Sequence, residues 1–198
     1  MTASLRCEAL SLTFPSGFRV GPLSLDLGPG LHHLVAPNGT GKTTLLRCLC
    51  GGWRDTAGAL SVCGADPRTE RSARAAVAFV PADPELPPWL TVDEAWHELA
   101  ALRGAPGWDG AALRTALDLP GELPLGHCSA GQRRRAELLA AAAGDPPVLL
   151  LDEPFANLDP DATARVAACL ERWRSDRVVV VTSHGPLPLV ADTTIHLA

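Results

Sequence analysis

Apolar positions along the chain fall into two alternating patterns. Short apolar runs bounded by Gly and Pro alternate with segments of helical period, which predicts an α/β domain with a largely parallel sheet. The predicted strands are Leu5 to Thr13, Phe18 to Leu27, Leu31 to Ala36, Ala59 to Val62, Ala76 to Val80, Val148 to Asp152 and Val178 to Thr182. The last two are continuously apolar, as strands buried on both faces are. Pro15-Ser16-Gly17 joins the first two and predicts an antiparallel hairpin, so the sheet is expected to be mixed.

Helices are marked by their start signals. Thr91 with Glu94 reads as a capping box opening a helix that runs towards Arg103. Ser129 with Gln132 reads as another, with Ala136, Leu139, Ala140 and Ala143 on one apolar face and Pro146-Pro147 as the stop. A third starts at Asp159 with Pro160 in its first turn, and Val166, Cys169, Leu170 and Trp173 recur at helical spacing. Between about Asp83 and His127 the pattern is helical, with Pro- and Gly-rich joints and no good strand. The chain therefore reads as one domain over residues 1–198, a core of about 1–82 and 145–198 with a helical subdomain of about 83–144 inserted into it.

Composition narrows the partners. The 198 residues are 46% hydrophobic and 20% charged, which suits a folded domain and excludes a disordered chain. Seventeen basic against 22 acidic residues leave a net charge of -5, so no phosphate-neutralising surface and no nucleic-acid partner are expected. No uncharged stretch approaches the ~20 apolar residues that span a bilayer. Arg6 and Glu8 interrupt the N-terminal apolar positions, which excludes a signal-peptide core, and a cytoplasmic protein is expected. The six cysteines form no Cys-x-x-Cys pair and read as reduced core thiols. Sixteen of the basic residues are Arg; the single Lys is Lys42.

Lys42 sits in a distinctive context. The strand Leu31 to Ala36 runs into Pro37-Asn38-Gly39-Thr40-Gly41-Lys42-Thr43-Thr44 and then the apolar Leu45-Leu46, the order of a strand, a glycine loop and a helix N-terminus that a nucleotide phosphate loop needs. Small residues free backbone N–H groups to wrap phosphates, and the helix N-terminus adds partial positive charge. Lys42 would reach the β- and γ-phosphates and the Thr43 hydroxyl would ligate Mg²⁺. The first glycine of the usual pattern is replaced by Ala36. Further on, Val148-Leu149-Leu150-Leu151-Asp152-Glu153 is a buried strand ending in two acids, where Asp152 can hold hydrated Mg²⁺ and Glu153 can polarise a water.

From here the residues resemble the ATP-binding cassette (ABC) ATPases over nearly the whole chain. The family's Leu-Ser-Gly-Gly-Gln signature resembles Cys128-Ser129-Ala130-Gly131-Gln132, followed by Arg133-Arg134-Arg135; Asn157-Leu158-Asp159 is similar to its D-loop, and Thr182-Ser183-His184 to its switch histidine. The resemblance implies a P-loop NTPase with a RecA-like core, an antiparallel N-terminal β layer and a helical subdomain carrying Ser129. It implies an aromatic adenine platform at Phe14, with Phe18 as runner-up. It also implies two ATP molecules with Mg²⁺, sandwiched in a head-to-tail homodimer or in a heterodimer with another ABC ATPase. There Glu153 activates water, and His184 with the partner subunit's Ser129 and Gly131 clamps the γ-phosphate. At the family's Q-loop glutamine stands Ala82, which removes a side-chain oxygen that contacts Mg²⁺ and reports nucleotide state; the adjacent Asp83 is the candidate substitute.

The function so implied is the ATP-hydrolysing subunit of a transporter whose membrane-spanning permease is a separate chain, held at the inner face of the cell membrane. The permease would dock near Pro84, Pro87, Pro88 and Trp89. The compact chain, without a regulatory C-terminal domain, resembles export-type subunits, including those of cytochrome c maturation. Two alternatives belong to other classes. A soluble ABC ATPase acting on nucleic acid or the ribosome would need a long coiled coil or a second cassette, and a binding-only regulatory subunit is suggested by Ala36 and Ala82.

Overall fold

The computed structural model describes residues 2–37, 39–83 and 85–197. In chain order the elements are β1 (Leu5–Thr13), β2 (Arg19–Leu27), β3 (Gly30–Val35), α1 (Lys42–Leu49), β4 (Ala57–Val62), α2 (Arg71–Ala75), β5 (Val77–Val80), α3 (Val92–Leu102), α4 (Ala111–Ala116), α5 (Ala130–Ala142), β6 (Val148–Leu151), α6 (Pro160–Trp173), β7 (Val178–Thr182) and β8 (Thr193–His196).

β6 and β7 are apolar enough to be buried throughout, and they form the centre. Alternation along a strand sends side chains to opposite faces. Val148, Leu150, Val178 and Val180 enter one core, while Leu149, Leu151, Val179 and Val181 enter the other. The two strands pair in parallel inside a five-stranded sheet of order β5-β6-β7-β3-β8. One core also takes Leu45, Leu46 and Leu49 of α1 and the inner residues of β1 and β2; the other takes the apolar residues of α3, α5 and α6.

The hairpin around Pro15-Ser16-Gly17 forms as expected, with Thr13 opposite Arg19. The antiparallel and parallel pairings occupy two sheets rather than one, because β1 pairs with β2 and β4 in a separate three-stranded sheet, β2-β1-β4. Register shifts interrupt β1 on both sides, with Ala9 at φ 49. Such bulges increase local twist, and α1 shares the core between the two sheets.

Both predicted capping boxes are present, at Thr91 with Glu94 and at Ser129 with Gln132, and Asp159 caps α6 through the Ala162 N–H. Two details differ from expectation. α5 is buried on all sides from Arg134 to Ala142 rather than along one face. It also ends before Pro146-Pro147: Gly144 takes φ 76, and Nη1 of Arg103 donates to the carbonyls of Ala140, Ala141 and Ala143 at 3.3, 2.9 and 2.7 Å. A guanidinium there satisfies carbonyls that a helix end leaves unpaired. Burial lowers the pKa of Arg103 to about 10.

β8 had no sequence signal, because its residues are polar or half-exposed. Asp192, just before it, holds this edge strand in place. The Leu31 N–H donates to its Oδ2 at 2.8 Å, and the Arg174 guanidinium pairs with the same carboxylate. The six cysteines are free; burial pushes the thiols of Cys7, Cys48 and Cys169 up to about 11, 12 and 11, which keeps them inert. Among the described residues no helix is long and apolar enough to cross a membrane.

The Leu31 N–H and then the Arg174 guanidinium hold the Asp192 carboxyl below the usual carboxylate range. A depressed folded-state pKa contributes stability above the unfolded value and loses it as pH falls through the folded value. Asp192→Asn is expected to cost about 1 kcal/mol at neutral pH, and the gap to the native chain should narrow progressively below about pH 4. Urea unfolding at pH 7 and pH 3 measures both.

Candidate nucleotide site

Parallel strands deliver their C-terminal ends to one edge of the sheet, where α/β ligands bind. The register places Leu34 of β3 opposite Thr182 of β7, and Leu151 of β6 opposite Val181, so the loops after these three strands are neighbours.

The loop after β3 closes on itself through Lys42. Its Nζ donates to the carbonyls of Ala36 at 2.8 Å and Pro37 at 3.3 Å, and Thr40 Oγ1 donates to Pro37 O at 2.8 Å. Gly39 and Gly41 take φ 77 and 94, a region that favours glycine. A Cβ on Gly41 would also lie 2.5 Å from Val20 Cγ2. α1 starts with no side-chain cap and no acidic residue in its first turn, so among the described residues its leading amides have no side-chain acceptor. That is the electrostatic preparation an anion needs. Ala36 keeps the loop intact, since its contribution is the carbonyl that Lys42 binds. Asn38 lies outside the described residues.

The acids follow β6. Asp152 is only 2% exposed. The Thr43 hydroxyl donates to its Oδ2, and the Thr182 hydroxyl donates to Oδ1 at 2.5 Å. Glu153 adopts φ 53, an uncommon conformation for a non-glycine residue. Its N–H donates to Thr182 Oγ1 at 2.9 Å, and its Oε2 accepts from the His184 N–H at 3.2 Å. Oε1 is buried without a hydrogen-bond partner, 3.7 Å from His184 Nε2.

These groups enclose a cavity of about 390 Å³ whose lining includes Lys42, Thr43, Thr44, Asp152, Glu153 and His184. The site fits a magnesium nucleotide. Thr43 and Asp152 present hard oxygen donors side by side. Among the described residues no three His, Cys, Asp or Glu side chains form a metal cage, in keeping with Mg²⁺, which binds through one or two carboxylates plus substrate phosphates. Phe18 and Ala82 complete the wall.

Several predicted residues lie elsewhere. Phe14 is half-buried, 5.9 Å from the Phe18 ring and edge-on to Trp53 at 5.6 Å, and it is absent from the cavity lining, so Phe18 takes the wall position. Asp83 is exposed and does not line the cavity, whereas Ala82 does. Ser129 is exposed at the start of α5, where its Oγ accepts from the Gln132 N–H at 3.2 Å and Gln132 Oε1 accepts from the Ser129 N–H at 2.9 Å. Gly131 lies where a Cβ would stand 3.1 Å from the carbonyl of Asn157, so the start of α5 runs close to the segment leading to Asp159. Neither Ser129, Gly131, Gln132 nor Asp159 lines the phosphate cavity. Pro84 lies outside the described residues; Trp89 is 75% exposed.

Sequence reasoning did not assign roles to Thr182 or Arg134. Thr182 is a polar end to an otherwise Val-only strand, and Arg134 is a charge three residues before Glu137 in an Ala- and Leu-rich helix. Those mismatches with an apolar setting are the signal that could have found them.

Residues 20–156 match the family described as ABC transporter. The cytochrome c biogenesis ATP-binding export protein CcmA of Brucella abortus (strain 2308) is 33% identical over 195 residues, covering 93% of this chain and 88% of that protein. Nod factor export ATP-binding protein I of Burkholderia pseudomallei (strain K96243) is 35% identical over 177 residues, covering 83% of this chain and 57% of that protein. The fold recurs in the solved ATP-binding subunit of an ABC transporter, with a TM-score of 0.77 at 23% identity over 91% of this chain and 79% of the other. A Pyrococcus furiosus structure superposes with a TM-score of 0.80 at 21% identity over 98% and 97% of the two chains. A match that runs from β2 through the phosphate loop and the signature segment to the paired acids establishes that the chain belongs to the ABC transporter family.

Proposed function

We propose that this chain binds and hydrolyses ATP as the nucleotide-binding subunit of an ABC exporter, at the cytoplasmic face of a membrane and bound to a separate permease subunit. It acts as one ABC ATPase domain, with a core of about 1–82 and 145–198 and a helical subdomain of about 83–144. The export direction rests on the two relatives whose names describe export. The single observation that carries the hydrolytic reading is Glu153 Oε1, buried and unpartnered beside the Thr43–Asp152 pair and the phosphate loop.

In this reading Lys42 leaves the Ala36 and Pro37 carbonyls to pair with the phosphates, while the α1 amides bind their oxygens. Thr43 and Asp152 would hold Mg²⁺, which would supply charge neutralisation to the phosphates. Glu153 accepts the proton of the attacking water, and the His184 N–H and Thr182 hydroxyl hold it in place for that transfer. Phe18 offers its ring to the base. Ser129 and Gly131 do not line the cavity of their own chain and serve the cavity of a second subunit, a copy of this chain or another ABC ATPase.

Glu153→Gln is expected to lower kcat at least about 100-fold and to trap an ATP-bound dimer visible on size exclusion; normal turnover would remove Glu153 from the base role. Phe18→Ala should weaken ATP binding by about 1–3 kcal/mol, roughly 5- to 150-fold. Phe14→Ala should instead lower the melting temperature with little change in ATP affinity, and fluorescent-nucleotide titration with thermal unfolding separates the two. A tagged chain recovered from mildly solubilised membranes should bring down a multi-span protein, and Lys42→Ala should abolish any nucleotide dependence of that association. Recovery of soluble or nucleic-acid-bound proteins alone would move the function to a soluble ABC ATPase.

A further inference from the structure

Arg134 is a buried cation whose contacts reach both strand ends behind the cavity. It lies in the first half of α5, 4% exposed, beside the equally buried Glu137. Its Nη1 donates to the Pro81 carbonyl at 2.5 Å and to Glu137 Oε2 at 3.2 Å, and its Nη2 donates to the Asp152 carbonyl. Glu137 Oε1 in turn accepts from the Glu85 N–H at 3.1 Å.

The identity of these carbonyls matters more than their number. The Asp152 carbonyl belongs to the peptide that joins Asp152 to Glu153, and the orientation of that peptide is coupled to the φ of 53 that aims the Glu153 carboxylate. The Pro81 carbonyl belongs to the peptide leading into Ala82, whose side chain lines the cavity but has no polar atom with which to link the two segments. One planar guanidinium therefore grips both peptides, and Glu137 extends the grip to the backbone at Glu85. A rigid fork suits this task, since it fixes direction as well as distance.

A stabilising role alone does not account for the arrangement. Buried ion pairs are weak sources of stability, and apolar residues of similar size often replace them without loss. Arg134 Nε is moreover buried without a partner, so the guanidinium is placed to reach the two carbonyls at the expense of its own full hydrogen bonding. We propose that Arg134, anchored by Glu137, is a positioning residue for hydrolysis: it fixes the 152–153 and 81–82 peptides relative to α5, so that displacement of α5 or of the backbone at Pro81 and Glu85 is transmitted to the Glu153 carboxylate. This proposal rests on the hydrolytic reading of Glu153 given above.

The deciding variant removes both charges while keeping apolar volume, Arg134→Met with Glu137→Leu, in the full chain. It should stay folded at the assay temperature, melting somewhat lower because the Pro81 and Asp152 carbonyls lose their donor, and keep its ATP KM within about two-fold, yet lose kcat about ten-fold or more, as small misplacements of a reacting group do. A folded double variant with native kcat overturns the proposal. If that variant does not fold, Arg134→Lys keeps the charge but cannot serve both carbonyls; reduced kcat at unchanged KM supports the proposal, and native kcat overturns it. Hydrogen exchange gives a readout independent of turnover. In Arg134→Lys the amides of Ala82, Asp83, Glu85, Leu86 and Glu153 should exchange faster while those of the second half of α5 stay protected, and unchanged exchange overturns the proposal. Absence of turnover in the native chain and in Glu153→Gln alike would instead refute the hydrolytic reading, while the exchange experiment still decides the link.

Discussion

A carboxylate cannot be buried without hydrogen-bond donors, and that requirement on Asp152 organises the site. Its two oxygens are served by hydroxyls from different elements, Thr43 at the start of α1 and Thr182 at the end of β7. Three consecutive features of the sheet must therefore end together: β6 delivers the acid, β7 delivers one donor, and β3 delivers the loop that starts α1. Parallel pairing in register accomplishes this, because strands that share direction end on the same side. The uninterrupted apolar character of β6 and β7 is what commits them to the centre. The same burial encloses Asp152, immediately after β6, and Thr182 at the end of β7, where the acid's charge acts strongly.

Elements were legible in the sequence in proportion to how local their determinants are. The capping boxes at Thr91 and Ser129 need only residues three apart, and both are present. The apolar runs of β6 and β7 announce burial directly. β8 depends on one edge pairing with β3 and on the long-range Asp192 contact to Leu31, 161 positions away, so its own residues carry little signal. The all-round burial of α5 was masked by Arg134, Arg135 and Glu137, charges that a periodicity reading assigns to solvent. Within the site, the phosphate loop and the paired acids could be read from order and spacing alone. The relative placement of Phe14 and Phe18 depends on how the hairpin twists over α1, which no local pattern records.

The preference for Arg over Lys becomes intelligible in the fold. Arg68, Arg74, Arg103, Arg133, Arg134, Arg135 and Arg174 all donate to backbone carbonyls at turns or at helix and strand ends. Several of them reach two or three carbonyls with one side chain, as Arg103 does at the end of α5. A planar fork of donors can do this and an ammonium cannot do it with comparable geometry. Lys42 has the opposite requirement. A compact charge on a flexible stem can rest on the Ala36 and Pro37 carbonyls and then turn to a phosphate, a change of partner that a rigid fork would resist.

The same geometry gives the cavity an open side. One wall is built with buried, mutually fixed groups, while the capped start of α5 with Ser129 stands exposed and does not line it. Capping boxes are normally complete in themselves, and Ser129 with Gln132 satisfies two amides reciprocally. Yet Gly131, beside the Asn157 carbonyl, keeps this helix start slender and close to the loop that leads from the acids to Asp159. The signature segment and the Asn157 segment thus lie close together within one chain, although in the proposed dimer they would serve different cavities. In the proposed dimer, a second subunit pressing on Ser129 would bear on the helix whose Arg134 holds the Asp152 carbonyl. Assembly and alignment of the acid would in that sense be mechanically continuous, through covalent helix and hydrogen bonds rather than through any contact with the nucleotide.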